Sequence, residues 1–297
     1  MSISSRNGVG PSRVSLPPGP WVTVLDFLSE KMPEVSRQEW TDRLQKQSVL
    51  NQYGEPIAWD QTYTPHQIIY YFRHIDNENA LPFKASVIFE DERLLVADKP
   101  HFMPVTPSGR YVQQSLLVQM KRMTGLDELV PLHRIDRETA GVVLLSKRAV
   151  DRSAYHALFR EHKIHKTYHA IAAHRSDLVW PRIHQSRMVP DEVFFRMKEV
   201  PGPSNSETRI TLLSTNGQSA LYELEPVTGK RHQLRVHMMA LGLPLKGDQF
   251  YPVVLRGPKE PENFTQPLQL LAKRISFKDP VTDNATTFES QQQLLLT

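Results

Sequence analysis

The stretch Pro131-Leu132-His133-Arg134-Ile135-Asp136-Arg137-Glu138-Thr139-Ala140-Gly141 sets a carboxylate between two guanidiniums and runs at once into the apolar Val142-Val143-Leu144-Leu145. A β-branched and leucine run bounded by Gly141 and Ser146 reads as a core strand. Asp136 is therefore expected on a loop held by a rigid scaffold, where catalytic groups gather. A carboxylate flanked by cations is ionised at neutral pH and offers a nucleophile or base rather than a proton. On spacing alone, a surface Arg-Asp-Arg ion-pair cluster accounts for the same residues. A second segment, Lys163 to Ala172, alternates so that a strand presents Lys166 and Tyr168 on one face. An aromatic beside a cation suits a nucleobase, stacking being worth about 1 to 3 kcal/mol per base whatever the sequence; a tyrosine in a strand also serves packing. A third segment, Thr228 to Gly242, reads as a helix closed by Gly242, with Leu234, Met238 and Leu241 inward and Arg231 and Arg235 aligned at i, i+4. His232 and His237 stand five apart and do not share a helix face as a metal pair would, so no metal site is expected.

Composition narrows the classes. The 297 residues, 39% hydrophobic and 23% charged, suit an ordinary globular chain long enough for a sizeable core and two domains. The absence of cysteine removes thiol nucleophiles, disulfides, zinc ribbons and iron-sulfur clusters together. No apolar run approaches the roughly 18 residues of a membrane span and the N-terminus lacks the apolar core of a secretory signal, so a cytoplasmic location is expected. The net charge of +4 is unevenly spread: residues 21–84 carry −3 and residues 85–297 carry +5. Because polyanion affinity follows the number of phosphates neutralised, the later part is the better candidate for an RNA-binding surface.

Residues 1–20, rich in Ser, Gly and Pro, read as a flexible tail. From Val22 the chain becomes periodic: Val24, Leu25 and Leu28 suit one helix, Pro33 breaks it, and Ser36 and Glu39 open another at capping-box spacing with Trp40 and Leu44 inward. Short strands follow at 48–50, 55–58 and 68–72. The polar run Asp76 to Pro82 marks a domain boundary, giving a tail over 1–20, a small module over 21–80 and a second domain over 81–297. There, Val87-Ile88-Phe89 and Leu94-Leu95-Val96 read as a hairpin. Leu116, Leu117, Met120 and Met123 read as an apolar helix face filling core, and residues 149–162 as a further helix with Ala154, Ala157 and Leu158 inward. Residues 209–213 and 220–224 pair across Asn216-Gly217, and 268–271 and 274–277 close the domain.

Three separated segments, His133 to Gly141, Lys166 to Ala170 and Gly229 to His237, in that order and separation, closely resemble the RluA-type family of RNA pseudouridine synthases. The resemblance extends to Asp91-Glu92, Lys99-Pro100 and Lys246-Gly247-Asp248 and covers roughly residue 85 to the C-terminus. It implies an α+β fold: a catalytic domain with a long mixed, mostly antiparallel sheet and flanking helices, preceded by a small N-terminal α/β module. It implies isomerisation of uridine to pseudouridine in ribosomal or transfer RNA. By that resemblance the catalytic residues are Asp136, which either attacks the sugar or removes its 2′ proton, Tyr168, which stacks on the base and helps remove the C5 proton, and Arg235, which pairs with the aspartate. Arg134 matches the residue that fills the space left by the displaced nucleotide; His133, Arg137, Lys166, Lys230, Arg231, His232 and Gln233 complete the substrate-binding set. Ile135 stands for the usual leucine and Ala140 for the usual serine, while Lys230-Arg231 replaces Arg followed by Ser or Thr. Lacking the planar guanidinium, Lys230 holds a phosphate less rigidly, or Arg231 takes over.

The N-terminal pieces Leu25-Asp26-Phe27-Leu28, Ser36-Arg37, Val49 and Gly54 resemble, less closely, the alpha-L RNA-binding module that precedes many RNA-modifying domains. Isomerisation exchanges no electrons and needs no second substrate, so no cofactor is expected. The partner is RNA, with no membrane and no obligate protein partner, and a monomer is expected. Two competing readings remain: a noncatalytic RNA-binding or chaperone protein on the same fold, and a hydrolase using Asp136 with His133.

Overall fold

The computed structural model describes residues 3–73, 75, 78–193, 195–257, 260 and 262–296. The chain divides into two compact units, one of Met1–Asn79, Pro107–Gln113 and Val118–Asp127, the other of Ala80–Thr106, Gln114–Leu117 and Glu128–Thr297. The expected boundary at 76–82 lies partly outside the described residues, at Asp76 and Asn77. Two later pieces of chain cluster with the N-terminal unit because Val112 and Val118 pack with Val9 and Ile75.

In the smaller unit, β1 (Ser12–Ser15), α1 (Val24–Lys31), α2 (Arg37–Gln45), β2 (Val49–Asn51) and β3 (Ile68–Tyr71) form two helices and a three-stranded sheet in the order β1-β3-β2. Val24, Leu25, Phe27 and Leu28 of α1 bury with Trp40 and Leu44 of α2, as 3.6-residue spacing requires. Ser36 caps α2 by accepting from Glu39 N–H at 3.1 Å, while the Glu39 carboxylate turns to Arg43. The reciprocal capping box belongs to α1, through Thr23 and Asp26. Two expectations fail here. Residues 1–20 are not all tail: β1 pairs antiparallel with β3, and Leu16 is fully buried, since Val14 and Leu16 alternate with polar neighbours and give an edge strand something to bury. The strand expected at 55–58 is only an isolated bridge from Leu50 to Pro56.

The larger unit is built on one 11-stranded sheet. Its strands are β4 (Ser86–Glu90), β5 (Leu94–Lys99), β6 (Val130–Pro131), β7 (Ala140–Ser146), β8 (His165–Ala173), β9 (Arg182–Pro190), β10 (Met197–Val200), β11 (Ser206–Thr215), β12 (Ser219–Pro226), β13 (Leu270–Lys278) and β14 (Ala285–Glu289). The order is β10-β9-β11-β12-β8-β13-β7-β5-β4, with β14 on β13 and β6 on β7. Among the described residues only the β13–β7 pairing is parallel, so the sheet is long, mixed and mostly antiparallel. Helices α4 (Arg152–Arg160) and α5 (Gln233–Ala240) belong to this unit, and α3 (Leu116–Thr124) begins in it, its residues from Val118 on belonging to the smaller one. On α3, Leu116 and Met120 are buried but Met123 is 60% exposed, one turn too late to reach core. On α4 the buried pair is Tyr155 and Leu158 rather than the expected alanines. All seven residues of β7 are buried, each Val or Leu contributing about 1.5 to 3 kcal/mol, which makes this strand a stiff floor. Among the described residues no helix is long and apolar enough to cross a membrane.

Candidate active site

Asp136 lies on the loop between β6 and β7, and that loop is fastened from below. The fully buried Lys99 donates from Nζ to the carbonyls of Pro100, Met103 and Arg137 at 2.9, 2.7 and 3.1 Å. Burial pushes this lysine down to about 7, yet three carbonyl acceptors need three N–H bonds, which only the ammonium has. The His101 ring donates from Nδ1 to the Glu138 carbonyl at 2.7 Å; burial lowers it to about 4. At the end of the loop, Gly141 adopts φ +114°, and a Cβ there would meet the Ala272 carbonyl oxygen at 2.2 Å. Only glycine lets β7 and β13 pair at that point.

Arg235, on the first turn of α5, reaches Asp136. Its side chain is 1% exposed; Nε and one terminal nitrogen make a forked pair with Asp248 at 2.8 and 2.6 Å, and the other nitrogen stands 3.3 Å from Asp136 Oδ2 and 3.8 Å from Glu138. Burial works against the guanidinium charge, but Asp248, Asp136 and Glu138 outweigh it and raise its pKa. Glu138 is held down to about 2: burial favours its neutral form, and Arg137 and Arg235 overcome that. The Asp136 side chain keeps 25% of its surface open, so the carboxylate is both held and reachable.

Tyr168 and Lys166 lie on β8 as expected. Burial, and then the Asp136 charge, raise the Tyr168 phenol, which stays protonated at neutral pH. Burial lowers Lys166, whose Nζ lies 3.7 Å from where a Gly229 Cβ would stand. Asp136, Arg235 and Tyr168 therefore share one electrostatic neighbourhood, although they come from a loop, a helix and a strand.

The expected substrate-binding residues divide. Arg134 is exposed and makes no hydrogen bond or ion pair within the described residues; Lys230 is exposed too. His133 faces inward, its Nε2 accepting from Leu144 N–H at 3.1 Å and its ring stacked on Phe159; burial lowers it to about 3. That geometry makes it a pin for the loop. Arg137 does not flank Asp136: it forks onto Glu138 and pairs with Glu262, so the expected Arg-Asp-Arg cluster is replaced by Arg235 arriving from α5. Gln233 is buried with its amide fully used, accepting from Thr228 and Lys230 N–H and donating to the Glu207 carbonyl and Thr208. Arg231 precedes the helix, because His232 at its N-cap has φ +55°. Hence Arg231 and Arg235 are not aligned: Arg231 donates to the Arg196 carbonyl instead. His232 places Nε2 3.9 Å from Asp136 Oδ2 and Nδ1 2.9 Å from the Tyr251 hydroxyl.

Sequence reasoning assigned no role to Lys99, Glu138, Asp248, Tyr251 or Glu262. Lys99 and Asp248 lie in segments carrying the family resemblance, which was their only signal; Glu262 lies in an aperiodic stretch rich in proline. One further group has ligand chemistry: His184, Glu199 and His237 offer atoms within 4.8 Å of one another. His237 is already bonded at both nitrogens, to Ser206 at 2.9 Å and Thr208 at 2.9 Å, and His184 to Glu199 at 2.8 Å, so the group satisfies itself as a polar core. A cavity of about 750 Å³ lined by His101, Lys246, Gln269 and Gln292 borders the site, without Asp136 in its wall.

The family model described as RNA pseudouridylate synthase matches residues 93–240. An uncharacterized RNA pseudouridine synthase of Synechocystis is 32% identical over 237 residues, 77% of this chain and 79% of that one. The human pseudouridylate synthase RPUSD2 is 32% identical over 186 residues, 63% of this chain but only 34% of its own length. The solved structure of human RNA pseudouridylate synthase domain containing 1 aligns with a TM-score of 0.58 over 70% of this chain and 84% of that one, at 19% identity, a likeness of fold alone. By the identity and extent of these matches, the chain belongs to the RNA pseudouridine synthase family and is an isomerase.

Proposed function

We propose that this chain is an RluA-type synthase that converts uridine in ribosomal or transfer RNA to pseudouridine, acting as a cytoplasmic monomer, with Asp136 as the group that acts on the ribose. The observation that carries the reading is the 3.3 Å approach of Arg235 to an Asp136 carboxylate that remains partly open. A uridine in a helix must leave its stack before a carboxylate can reach its sugar, at a cost of a few kcal/mol. Arg134, exposed and unengaged within the described residues, is suited to fill the vacated space and offset part of that cost. Tyr168 offers its ring as the platform for the extruded base; as a protonated phenol it takes up the C5 proton only if its own proton leaves first. Lys166 and Lys230 supply cations for the flanking phosphates. Asp136 either attacks C1′ or removes the 2′ proton, and in both routes Arg235 steadies the carboxylate before reaction.

Residues 21–80 are proposed as an accessory RNA-binding module of alpha-L type, contributing little affinity given the −3 charge of residues 21–84. Mapping pseudouridines in total RNA from cells with and without the gene tests the function: loss of a defined site, restored by the wild-type chain and not by Asp136→Asn, is expected. Equal levels with both chains would favour a noncatalytic RNA-binding protein, and release of free base from labelled RNA would favour a hydrolase.

A further inference from the structure

The turn at 248–251 holds both basic neighbours of Asp136. Asp248 grips Arg235, and its Oδ1 also accepts from the N–H groups of Phe250 and Tyr251 at 2.9 and 3.1 Å. Three residues on, Tyr251 holds His232. The Tyr251 oxygen accepts from Met197 N–H at 2.8 Å, and burial keeps the phenol protonated. A buried hydroxyl proton needs an acceptor, and within the described residues the one Tyr251 has is His232 Nδ1, at 2.9 Å. A nitrogen that accepts carries no proton of its own. In a neutral imidazole the hydrogen then sits on Nε2, the atom that faces Asp136 Oδ2 across 3.9 Å. The opposite tautomer would turn a lone pair toward that carboxylate. The backbone agrees with a fixed aim, since His232 is held at φ +55°, a conformation that residues other than glycine adopt only under local constraint.

We propose that Tyr251 is a positioning residue that fixes His232 as its Nε2–H tautomer, giving Asp136 a neutral hydrogen-bond donor in addition to Arg235. The proposal rests on the reading of Asp136 as the reacting carboxylate. The 3.9 Å gap is one that closes as the site engages RNA, as catalytic hydrogen bonds commonly do.

Side-chain 15N NMR of the histidine-labelled 297-residue chain, together with steady-state kinetics on a substrate RNA, tests it. In the wild type at neutral pH, His232 is expected as the Nε2–H form. Tyr251→Phe is expected to yield a mixture of tautomers and to lower kcat about tenfold, the scale of one hydrogen bond to a charged group, with KM changed less than about twofold. An Nδ1–H form in the wild type overturns the proposal outright, whether or not the variant folds. So does a Tyr251→Phe chain that changes tautomer without loss of kcat, or loses kcat without changing tautomer. His232→Gln, which keeps an N–H donor near the Nε2 position, should retain more kcat than His232→Leu; equal losses count against the proposal. If Asp136→Asn remains active, the reading of the site fails whatever the spectrum shows; if it is inactive while the Tyr251 results disagree, this proposal fails alone.

Discussion

In the smaller unit the charged side chains of α1 and α2 pair with at least one partner open to water, the exposed Arg37 with Asp26 and the exposed Glu39 with Arg43, whose own side chain is largely covered. In the larger unit, Arg235 is enclosed with Asp248, Asp136 and Glu138. Exposed pairs are worth about 0.2 to 1 kcal/mol because water competes, whereas breaking an enclosed pair leaves an uncompensated charge at about 3 to 5 kcal/mol. The contrast separates charge that water screens from charge enclosed beside the carboxylate proposed to react.

The sharpest way to break this comparison is Asp136→Asn. Turnover should fall by at least about a thousandfold, or 4 kcal/mol of activation free energy, with RNA affinity kept within about tenfold; a variant retaining a tenth of wild-type turnover would sink the assignment. Next comes Asp248→Asn, which strands the Arg235 charge. A loss of about 3 kcal/mol or more, read from the denaturant midpoint at constant m, is expected, against less than about 1 kcal/mol for Glu39→Gln in the smaller unit. Equal losses would erase the distinction.

Binding sharpens it further. Reversing Lys230 and Arg231 to glutamate should weaken RNA binding about tenfold or more at fixed salt, whereas Arg37→Gln with Lys46→Gln should cost less than about twofold; the opposite ranking in filter binding would move the main interface to the smaller unit. A separate effect appears in acid. His237 is fully buried and burial lowers it to about 3, below the ordinary histidine value, so between about pH 6.5 and 3 the unfolded chain holds a proton that the folded chain refuses. Stability should therefore decline on acidification through that window, by about 1.4 kcal/mol per pH unit from this residue, and His237→Asn should flatten the slope by that amount in urea melts at stepped pH. An unchanged slope would mean that the imidazole charges inside the fold.

Much of the scaffold could be read from residue order because it follows local rules. Val142 to Leu145 is an apolar run with a glycine before it, residues 166–171 alternate, and Asn216-Gly217 is a turn few other structures accommodate; β7, β8 and the β11–β12 hairpin lie where those patterns put them. Pattern singled out Asp136, Tyr168 and Arg235 but left an ion-pair cluster and simple packing open; the family resemblance supplied their roles. What stayed hidden depends on long-range partners. Nothing local reveals that the helix starts only after His232, since residues 229–231 carry no breaker except a glycine that helices tolerate at their ends. Nor could spacing show that Arg137 would turn to Glu262, 125 residues later, or that the apparent RNA ligands His133 and Gln233 would be satisfied inside the protein.

Gly141 sets the scale of the whole arrangement. Its missing methyl lets β13 lie directly against β7, and Ala272, the residue a side chain would strike, is opposite Tyr168 in the next ladder. From the strand that ends the acidic loop to the strand that bears the aromatic ring is thus two ladder spacings, about 10 Å, with β13 filling the interval. Adding a single carbon at this position would widen that gauge and carry the acid away from the ring.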